Sequence, residues 1–128
     1  MLIRKITRKR YYKMERLKGK KQIEHLFVSG RSVGAFPLRL VFLETEVTNK
    51  VGVSVSKKNF KSAVDRNKIK RLLRVAVENH FLSLFKRLEP KYSLMVLYVG
   101  KEIPKSEKLD TQFKLMVNRF NKRVLDEV

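Results

Sequence analysis

The stretch from residue 51 to residue 74 constrains the fold more than any other part of the chain, because a strand pattern runs directly into a helix pattern. Valine alternates with glycine or serine over residues 51–56, which predicts a half-buried strand. At one residue every 100°, the polar side chains of the following helix fall within about 140° of one another: Arg66, Asn67, Lys70, Arg71 and Arg74. The apolar residues gather on the far side: Ile69, Leu72, Leu73 and Ala76. One helix face therefore packs, and the other presents positive charge.

Positive charge dominates this segment too strongly for a helix face whose only role is solubility. Residues 57–74 contain eight Lys or Arg and a single acid, Asp65, whereas such faces usually mix both signs. The whole chain agrees, since 31 basic and 12 acidic residues among 128 leave a net charge of +19. A polyanion is the expected partner, and nucleic acid is the first candidate.

Length and composition favour one folded, soluble domain. With 128 residues and 43% hydrophobic side chains, the chain can bury a core of modest size, unlike a disordered basic tail. Cysteine is absent and the two histidines are isolated, which argues against disulfides and against a zinc site. No apolar run approaches the roughly 20 residues that span a bilayer. We therefore expect no membrane association and a cytoplasmic location.

The N-terminal segment is the most basic part of the chain. Its first 22 residues carry ten Lys or Arg and one acid, Glu15. This composition fits an organelle presequence, a disordered arm or a short helix laid on RNA. Because the amphipathic spacing is poor, we favour a basic, disordered arm over residues 1–16, followed by a domain over residues 17–128.

Periodicity predicts a helix and two strands before the basic segment. A short helix over residues 22–28 ends at Gly30, and its apolar residues recur at helical spacing: Ile23, Leu26 and Phe27. Two strands follow, over residues 36–43 and 51–55. Since only a polar stretch separates them, we expect them to pair as an antiparallel hairpin.

The second half of the chain alternates helix and strand. Asp65 is a candidate N-cap for the basic helix, which runs to about residue 88. An almost uniformly apolar strand over residues 93–99 is typical of an interior strand covered on both faces or of a strand paired beside the hairpin. A terminal amphipathic helix then carries one apolar stripe: Leu109, Phe113, Met116, Val117, Phe120 and Val124. The order predicts an α+β fold, a compact two-layer sandwich with helices packed on a mixed sheet.

The residues show no catalytic set. The sequence lacks a glycine-rich phosphate loop, a cysteine nucleophile, and a histidine paired with acids at informative spacing. His25 and His80 each lie on a predicted helix near apolar neighbours, which favours packed or partly exposed histidines over catalysis. Phe27 fits equally a core residue and a ring on which a nucleobase stacks. A chain of this kind is expected to assist the chemistry of a partner.

Two runs in the basic segment resemble a known signature. The run S-K-K over residues 56–58, followed by A-V-D-R-N-K-I-K-R-L-L-R over residues 63–74, is similar to the signature of the protein component of bacterial ribonuclease P. An upstream L-K at Leu17, an L-F-x-x-G over residues 26–30 and the order of predicted elements match the same family. The resemblance extends over residues 17–124.

The resemblance implies a fold and a function. Members of that family form a compact α/β sandwich whose long helix makes a left-handed βαβ crossover, opposite to the general rule for such units. A catalytic RNA subunit carries the active site and most of the magnesium, and it removes the 5′ leader of precursor tRNA by endonucleolytic hydrolysis. The protein subunit binds that RNA and the leader, so ribonuclease P RNA and precursor tRNA are the implied partners.

By position, the resemblance assigns RNA contact to eight residues: Lys57, Lys58, Arg66, Asn67, Lys68, Lys70, Arg71 and Arg74. It assigns Phe27 and the exposed sheet face to a cleft for the single-stranded leader. No catalytic or metal-ligating residue is assigned to this chain. Lys68 stands where the family usually has arginine, which keeps the charge but loses bidentate phosphate geometry.

Two other classes of protein share some of these features. A ribosomal-type structural RNA-binding protein has similar charge and size, but it gives no reason for the signature over residues 56–74. A DNA-binding module places a cationic helix in the major groove. Such a module needs a helix-turn-helix neighbour that the sequence does not predict, so DNA is not an expected partner.

Overall fold

The computed structural model describes residues 15–17, 19–45, 49–85 and 91–126, and these form five strands and three helices. The strands are β1 (Glu15–Arg16), β2 (Arg31–Ala35), β3 (Leu38–Thr45), β4 (Lys50–Val55) and β5 (Lys91–Tyr98). The helices are α1 (Lys20–Ser29), α2 (Ala63–Phe85) and α3 (Ser106–Asp126). The α+β class predicted from the sequence is confirmed.

Strand pairing is where the structure departs most from the sequence prediction. The strand order in the described sheet is β1-β4-β5-β3-β2, so β5 separates β3 from β4. The predicted hairpin between residues 36–43 and 51–55 is therefore wrong. The hairpin instead joins β3 to β2, with Ala35 opposite Leu38. β2 is not predicted from the sequence because R-S-V-G-A has too few apolar side chains to show alternation.

The last strand of the chain is the centre of the sheet. β5 pairs antiparallel with β3 and parallel with β4. Leu94 and Val96 are buried on one face and Met95 on the other, which confirms the prediction of an interior strand. Because α2 connects the parallel neighbours β4 and β5, the three elements form a βαβ crossover. Its left-handed sense stays a prediction from the family resemblance.

One face of the sheet carries the main core, which α2 and α3 cover. The rings of Phe42 on β3 and Phe120 on α3 meet edge to face, with centroids 5.0 Å apart. Phe81 on α2 and Phe113 on α3 meet in the same way at 5.4 Å. Such aromatic pairs add to the stabilisation from buried area. The predicted two-layer sandwich and the apolar stripe of the terminal helix are confirmed.

The opposite face is only partly covered, by α1. Leu26 is fully buried there, and together with Ile23 it packs against Val41 and Met95. These strand residues alternate with those of the main core, as the pleat of a sheet requires. The short helix predicted over residues 22–28 is confirmed, and it leaves part of the sheet open.

The C-terminal end of α1 depends on close packing at Gly30. The Gly30 N–H donates to the carbonyl oxygen of Leu26 at 2.8 Å. A Cβ added at Gly30 would lie 2.4 Å from that same oxygen, closer than any side chain tolerates. Glycine is therefore required here by space, and the predicted helix end is confirmed.

The first described residues extend the sheet at its β4 edge. Glu15 lies opposite Lys50 in a parallel pair, and the Leu17 N–H donates to the Val51 carbonyl oxygen at 3.0 Å. The predicted arm over residues 1–16 therefore ends inside the sheet. Residues 1–14 lie outside the described residues, as do residues 86–90, where the predicted end of the basic helix falls. The division into an arm and a domain over 17–128 stays a prediction.

Candidate nucleic-acid interface

The turn between β4 and α2 is held in place by its own backbone and by one buried ring. The Phe60 N–H donates to the Ser56 carbonyl oxygen at 3.0 Å, and the Asn59 N–H donates to the Ser56 hydroxyl at 3.3 Å. Phe60 is buried, and its ring lies 6.0 Å from that of Tyr98. This arrangement leaves Lys57 and Lys58 exposed beside the start of α2.

Ser62 caps the basic helix. Its hydroxyl accepts from the Asp65 N–H at 3.4 Å, and its carbonyl oxygen accepts from the Arg66 N–H at 3.1 Å. The prediction that Asp65 is the N-cap is wrong, because the helix begins at Ala63 and places Asp65 in the first turn. A carboxylate in that turn still suits the positive end of the helix dipole.

Arg66 braces the turn as well as presenting charge. Its Nη1 atom donates to the carbonyl oxygens of Phe60 at 2.7 Å and Lys61 at 2.9 Å, and the residue is half-buried. The family resemblance predicts only RNA contact for Arg66. No periodicity signals the second role, because a side chain that bonds the backbone five and six residues earlier depends on the path of the turn.

The eight residues predicted to contact RNA lie on the β4–α2 turn and the first turns of α2, and we call this set the basic surface: Lys57, Lys58, Arg66, Asn67, Lys68, Lys70, Arg71 and Arg74. The two lysines of the turn are exposed, as are Asn67, Lys68 and Arg71, and the other three are half-buried. The opposite side of the helix is packed, with Ile69 and Leu73 fully buried. The predicted helical phase is confirmed in this respect. The basic surface combines seven cations with the positive end of a helix, a combination suited to phosphate groups.

Leu72 is less buried than its place on the apolar side of the predicted helix indicates. It packs against the main core as a partly buried residue, whereas Leu73 is fully enclosed. The helical projection placed both on the apolar side and could not rank them, because depth depends on how α3 and the sheet meet α2. Leu73 therefore anchors α2 more firmly than Leu72 does.

The uncovered part of the sheet forms a second candidate surface, which we call the open face. Arg39, Ser54 and Leu97 lie in one row across β3, β4 and β5, on the same side of the sheet as α1. Arg39 is exposed, and its Nη2 atom donates to the Ser32 hydroxyl at 3.1 Å. Arg39 supplies a cation, Ser54 and Ser32 supply hydroxyl groups, and Leu97 supplies an apolar side chain. Such a mixed surface suits single-stranded nucleic acid.

Phe27 lies on α1, next to the buried Leu26, and 47% of it is exposed. A ring so exposed is not a member of either core cluster of the described residues. Of the two readings that the sequence left open, the exposure favours a ring available for stacking. Contact with a leader stays a prediction.

The two histidines lie in different settings. His25 is exposed and lines a recess between α1 and the ends of β3, β4 and β5, beside Leu43 and Ser93. His80 stacks on the ring of Phe113, with centroids 5.6 Å apart, and its Nε2 atom lies 2.5 Å from the Asp110 carboxylate. His80 therefore joins α2 to α3, as expected of a packed histidine.

At the far end of β5, Tyr98 anchors the loop that follows. Its hydroxyl donates to the Glu102 carbonyl oxygen at 2.5 Å. Burial raises the pKa of the Tyr98 phenol above its usual value, and the Glu102 carboxylate adds to the effect. The phenol thus stays a neutral hydrogen-bond donor.

In the described ranges, no three His, Cys, Asp or Glu residues group as a metal site, and no helix is long and apolar enough to cross a membrane.

Comparison with known proteins decides the family. The family model described as Ribonuclease P matches residues 12–122. This chain belongs to the ribonuclease P protein family. The ribonuclease P protein component of Chlorobium phaeobacteroides is 34% identical over 125 residues, which cover 84% of this chain and 86% of that protein. The ribonuclease P protein component of Porphyromonas gingivalis is 33% identical over 99 residues, 72% of each chain.

Solved ribonuclease P proteins share the fold. The Staphylococcus aureus protein superposes with a TM-score of 0.68 at 22% identity, covering 83% of this chain and 94% of that one. The Thermotoga maritima protein gives 0.67 at 19% identity, covering 82% and 96%. Membership of the ribonuclease P family makes this chain a protein subunit of an endoribonuclease complex that acts in the 5′ processing of tRNA. The rival ribosomal and DNA-binding classes give no reason for such matches.

Proposed function

We propose that this ribonuclease P protein binds the catalytic RNA through the basic surface and the 5′ leader of precursor tRNA through Phe27 and the open face. The observation that supports this most directly is that seven cations lie on the β4–α2 turn and the first turns of α2, while Ile69 and Leu73 of the same helix are fully buried. Phosphate contacts of this kind give affinity that carries little sequence preference. Tolerance of many precursor tRNAs would depend on the open face and Phe27, because base stacking also has little sequence preference.

The two surfaces have different chemistry, which supports a different RNA for each. The basic surface has charge and a helix terminus, features that suit the backbone of a folded RNA. The open face has Arg39, Leu97 and hydroxyl groups near a helix with a half-exposed ring, features that suit unpaired bases. In this proposal, magnesium is bound mainly by the RNA, cleavage occurs on the RNA, and the complex works in the cytoplasm.

Reconstitution tests the proposal. The purified chain is mixed with bacterial ribonuclease P RNA at low magnesium, and cleavage of precursor tRNA is followed. We expect the chain to lower the magnesium requirement, to tighten binding of precursor over mature tRNA, and to cleave nothing alone. Robust metal-dependent cleavage of precursor tRNA by the RNA-free protein would overturn the assignment of catalysis to the RNA.

The leader cleft has a sharper test at Phe27. Replacing Phe27 by alanine should weaken binding of precursor tRNA by roughly 1–3 kcal/mol for each stacked base, whereas Phe27→Tyr should retain most of the affinity. Mature tRNA, which lacks the leader, should bind all three proteins alike. Because the ring is half exposed, the melting temperature should change little.

Val28→Ala is the matched control, since Val28 is the next residue of α1 and is 84% exposed. It should leave the ratio of precursor to mature affinity as it is in the parent protein. If Phe27→Ala lowers the melting temperature and leaves that ratio unchanged, Phe27 is a structural residue and the cleft assignment is wrong.

A further inference from the structure

The tip of the β2–β3 hairpin exposes an aromatic ring that neither proposed RNA surface includes. Phe36 is 74% exposed, the most exposed aromatic residue in the described parts of the chain. It lies between Ala35 and Leu38, which are both buried. The ring therefore projects from a well-packed part of the fold.

Three hydrogen bonds hold the tip in place. The Gln112 side chain on α3 donates from Nε2 to the Phe36 carbonyl oxygen at 2.6 Å. The Val99 N–H donates to the Pro37 carbonyl oxygen at 2.8 Å. Arg119 on α3 donates from Nη1 to the Gly34 carbonyl oxygen. A ring whose backbone is fixed on both sides loses little freedom when it binds a partner, and this lowers the cost of binding.

A series of hydrogen bonds connects the tip to the β4–α2 turn, which carries two lysines of the basic surface. Val99, which bonds Pro37, accepts a hydrogen bond on its carbonyl oxygen from Asn59 Nδ2 at 3.4 Å. Gly100 accepts from the same nitrogen at 3.2 Å. Asn59 directly follows Lys58, and the exposed Lys101 directly follows Gly100. Phe36 thus belongs to the same end of the sheet as the lysines of the β4–α2 turn.

Charge decides which partner fits this ring. A second copy of the chain would bring another +19 to the contact, and such repulsion opposes self-association. An acidic partner with flat apolar groups is complementary, and unpaired RNA bases attached to phosphates have this chemistry. The leader is assigned to α1 and the open face, so the RNA that reaches the basic surface is the occupant.

We propose that Phe36 stacks on an unpaired base of the ribonuclease P RNA while the neighbouring lysines bind its phosphates. The inference rests on the proposed function, since it requires the basic surface to bind that RNA. It adds a contact of a different kind: stacking depends on ring shape, whereas the basic surface acts through charge.

Titration with ribonuclease P RNA in the absence of tRNA tests the stacking contact. Phe36→Ala should weaken binding about five-fold to a hundred-fold, the equivalent of one stacked base. Phe36→Tyr should bind like the parent, and Phe36→Leu should resemble alanine, because leucine is apolar but has no ring. The loss should be similar at every salt concentration, since the ring carries no charge. Lys58→Ala should instead reduce the salt dependence by about one phosphate contact.

Distinct outcomes would overturn the inference or the proposed function beneath it. If the parent chain fails to bind ribonuclease P RNA, the proposed function fails. If the parent binds and Phe36→Ala binds equally well, or if Phe36→Leu retains full affinity, the stacking contact is refuted. A loss of affinity seen only with precursor tRNA would assign the ring to the leader. A dimer in sedimentation that Phe36→Ala abolishes without affecting RNA binding would assign the ring to a second copy. Either result would also refute the stacking contact with ribonuclease P RNA.

Discussion

At the scale of single residues, Arg66 braces the fold and is also one of the cations that we propose contact RNA. Its guanidinium bonds two carbonyl oxygens of the turn that precedes α2 and stands among the cations of the basic surface. Arginine suits such a double role because it has five donors in a fixed plane and keeps its charge. Part of the signature over residues 56–74 is therefore structural.

Arg66→Ala should lower both stability and RNA affinity. Loss of the two hydrogen bonds leaves carbonyl oxygens of the turn without their donor, which we expect to cost about 1–2 kcal/mol in the free energy of unfolding. Arg71→Ala, at an exposed position of the same helix, should weaken RNA binding alone. Thermal melts measured beside RNA titrations distinguish the two, and equal melting temperatures for both variants would contradict the bracing role.

At the scale of elements, the sequence predicted what is local and missed what is not. The periodic stripes of α2 and α3 and the short α1 follow from residues three or four positions apart. The pairing of β3 with β5 joins strands separated by the whole of β4 and α2, and no neighbouring residues encode it. Asp65 was mistaken for the cap because Ser62, three residues earlier, is an equally good candidate by residue type.

The site divides in the same way. Four cations of the basic surface were predicted because they repeat along one helix face, whereas Lys57, Lys58 and Lys68 were assigned by the family resemblance. The hydrogen bonds from Asn59 to Val99 and Gly100 could not be predicted from the sequence, because they form only in the assembled sheet. The position of Phe36 at the same end of the sheet could not be predicted for the same reason. Phe27 could be placed on α1 from sequence, but its exposure depends on which residue of that helix meets Val41 and Met95.

Leu73 and Leu72 provide a matched pair for measuring how α2 is anchored. Leu73→Ala should cost about 2–5 kcal/mol in the free energy of unfolding, because the residue is fully buried and leaves a cavity. Leu72→Ala should cost less, since Leu72 is only partly buried. Denaturant unfolding compares the two variants directly. A larger loss for Leu72 would show that the helix is rotated from the phase described above.

At the scale of the whole molecule, the placement of charge matters as well as its total. Replacing Lys70, Arg71 and Arg74 together by alanine should weaken binding of ribonuclease P RNA and reduce the slope of log affinity against log salt by up to about three. The matched control replaces three exposed lysines of α3, Lys108, Lys114 and Lys122. Both variants lose the same charge, so equal effects on the slope would mean that RNA binding has no preferred surface.

The position of β5 has a consequence for how the chain is made. A ribosome releases β3 and β4 first, and each then has an edge that only the later β5 can fill. The basic helix α2 also leaves the ribosome before the central strand β5, because it precedes β5 in the chain. During that interval the nascent protein has the positive charge that attracts RNA, but it does not yet have the complete sheet on which the basic helix packs. The sheet can therefore be completed only after β5, which ends at Tyr98, has left the ribosome.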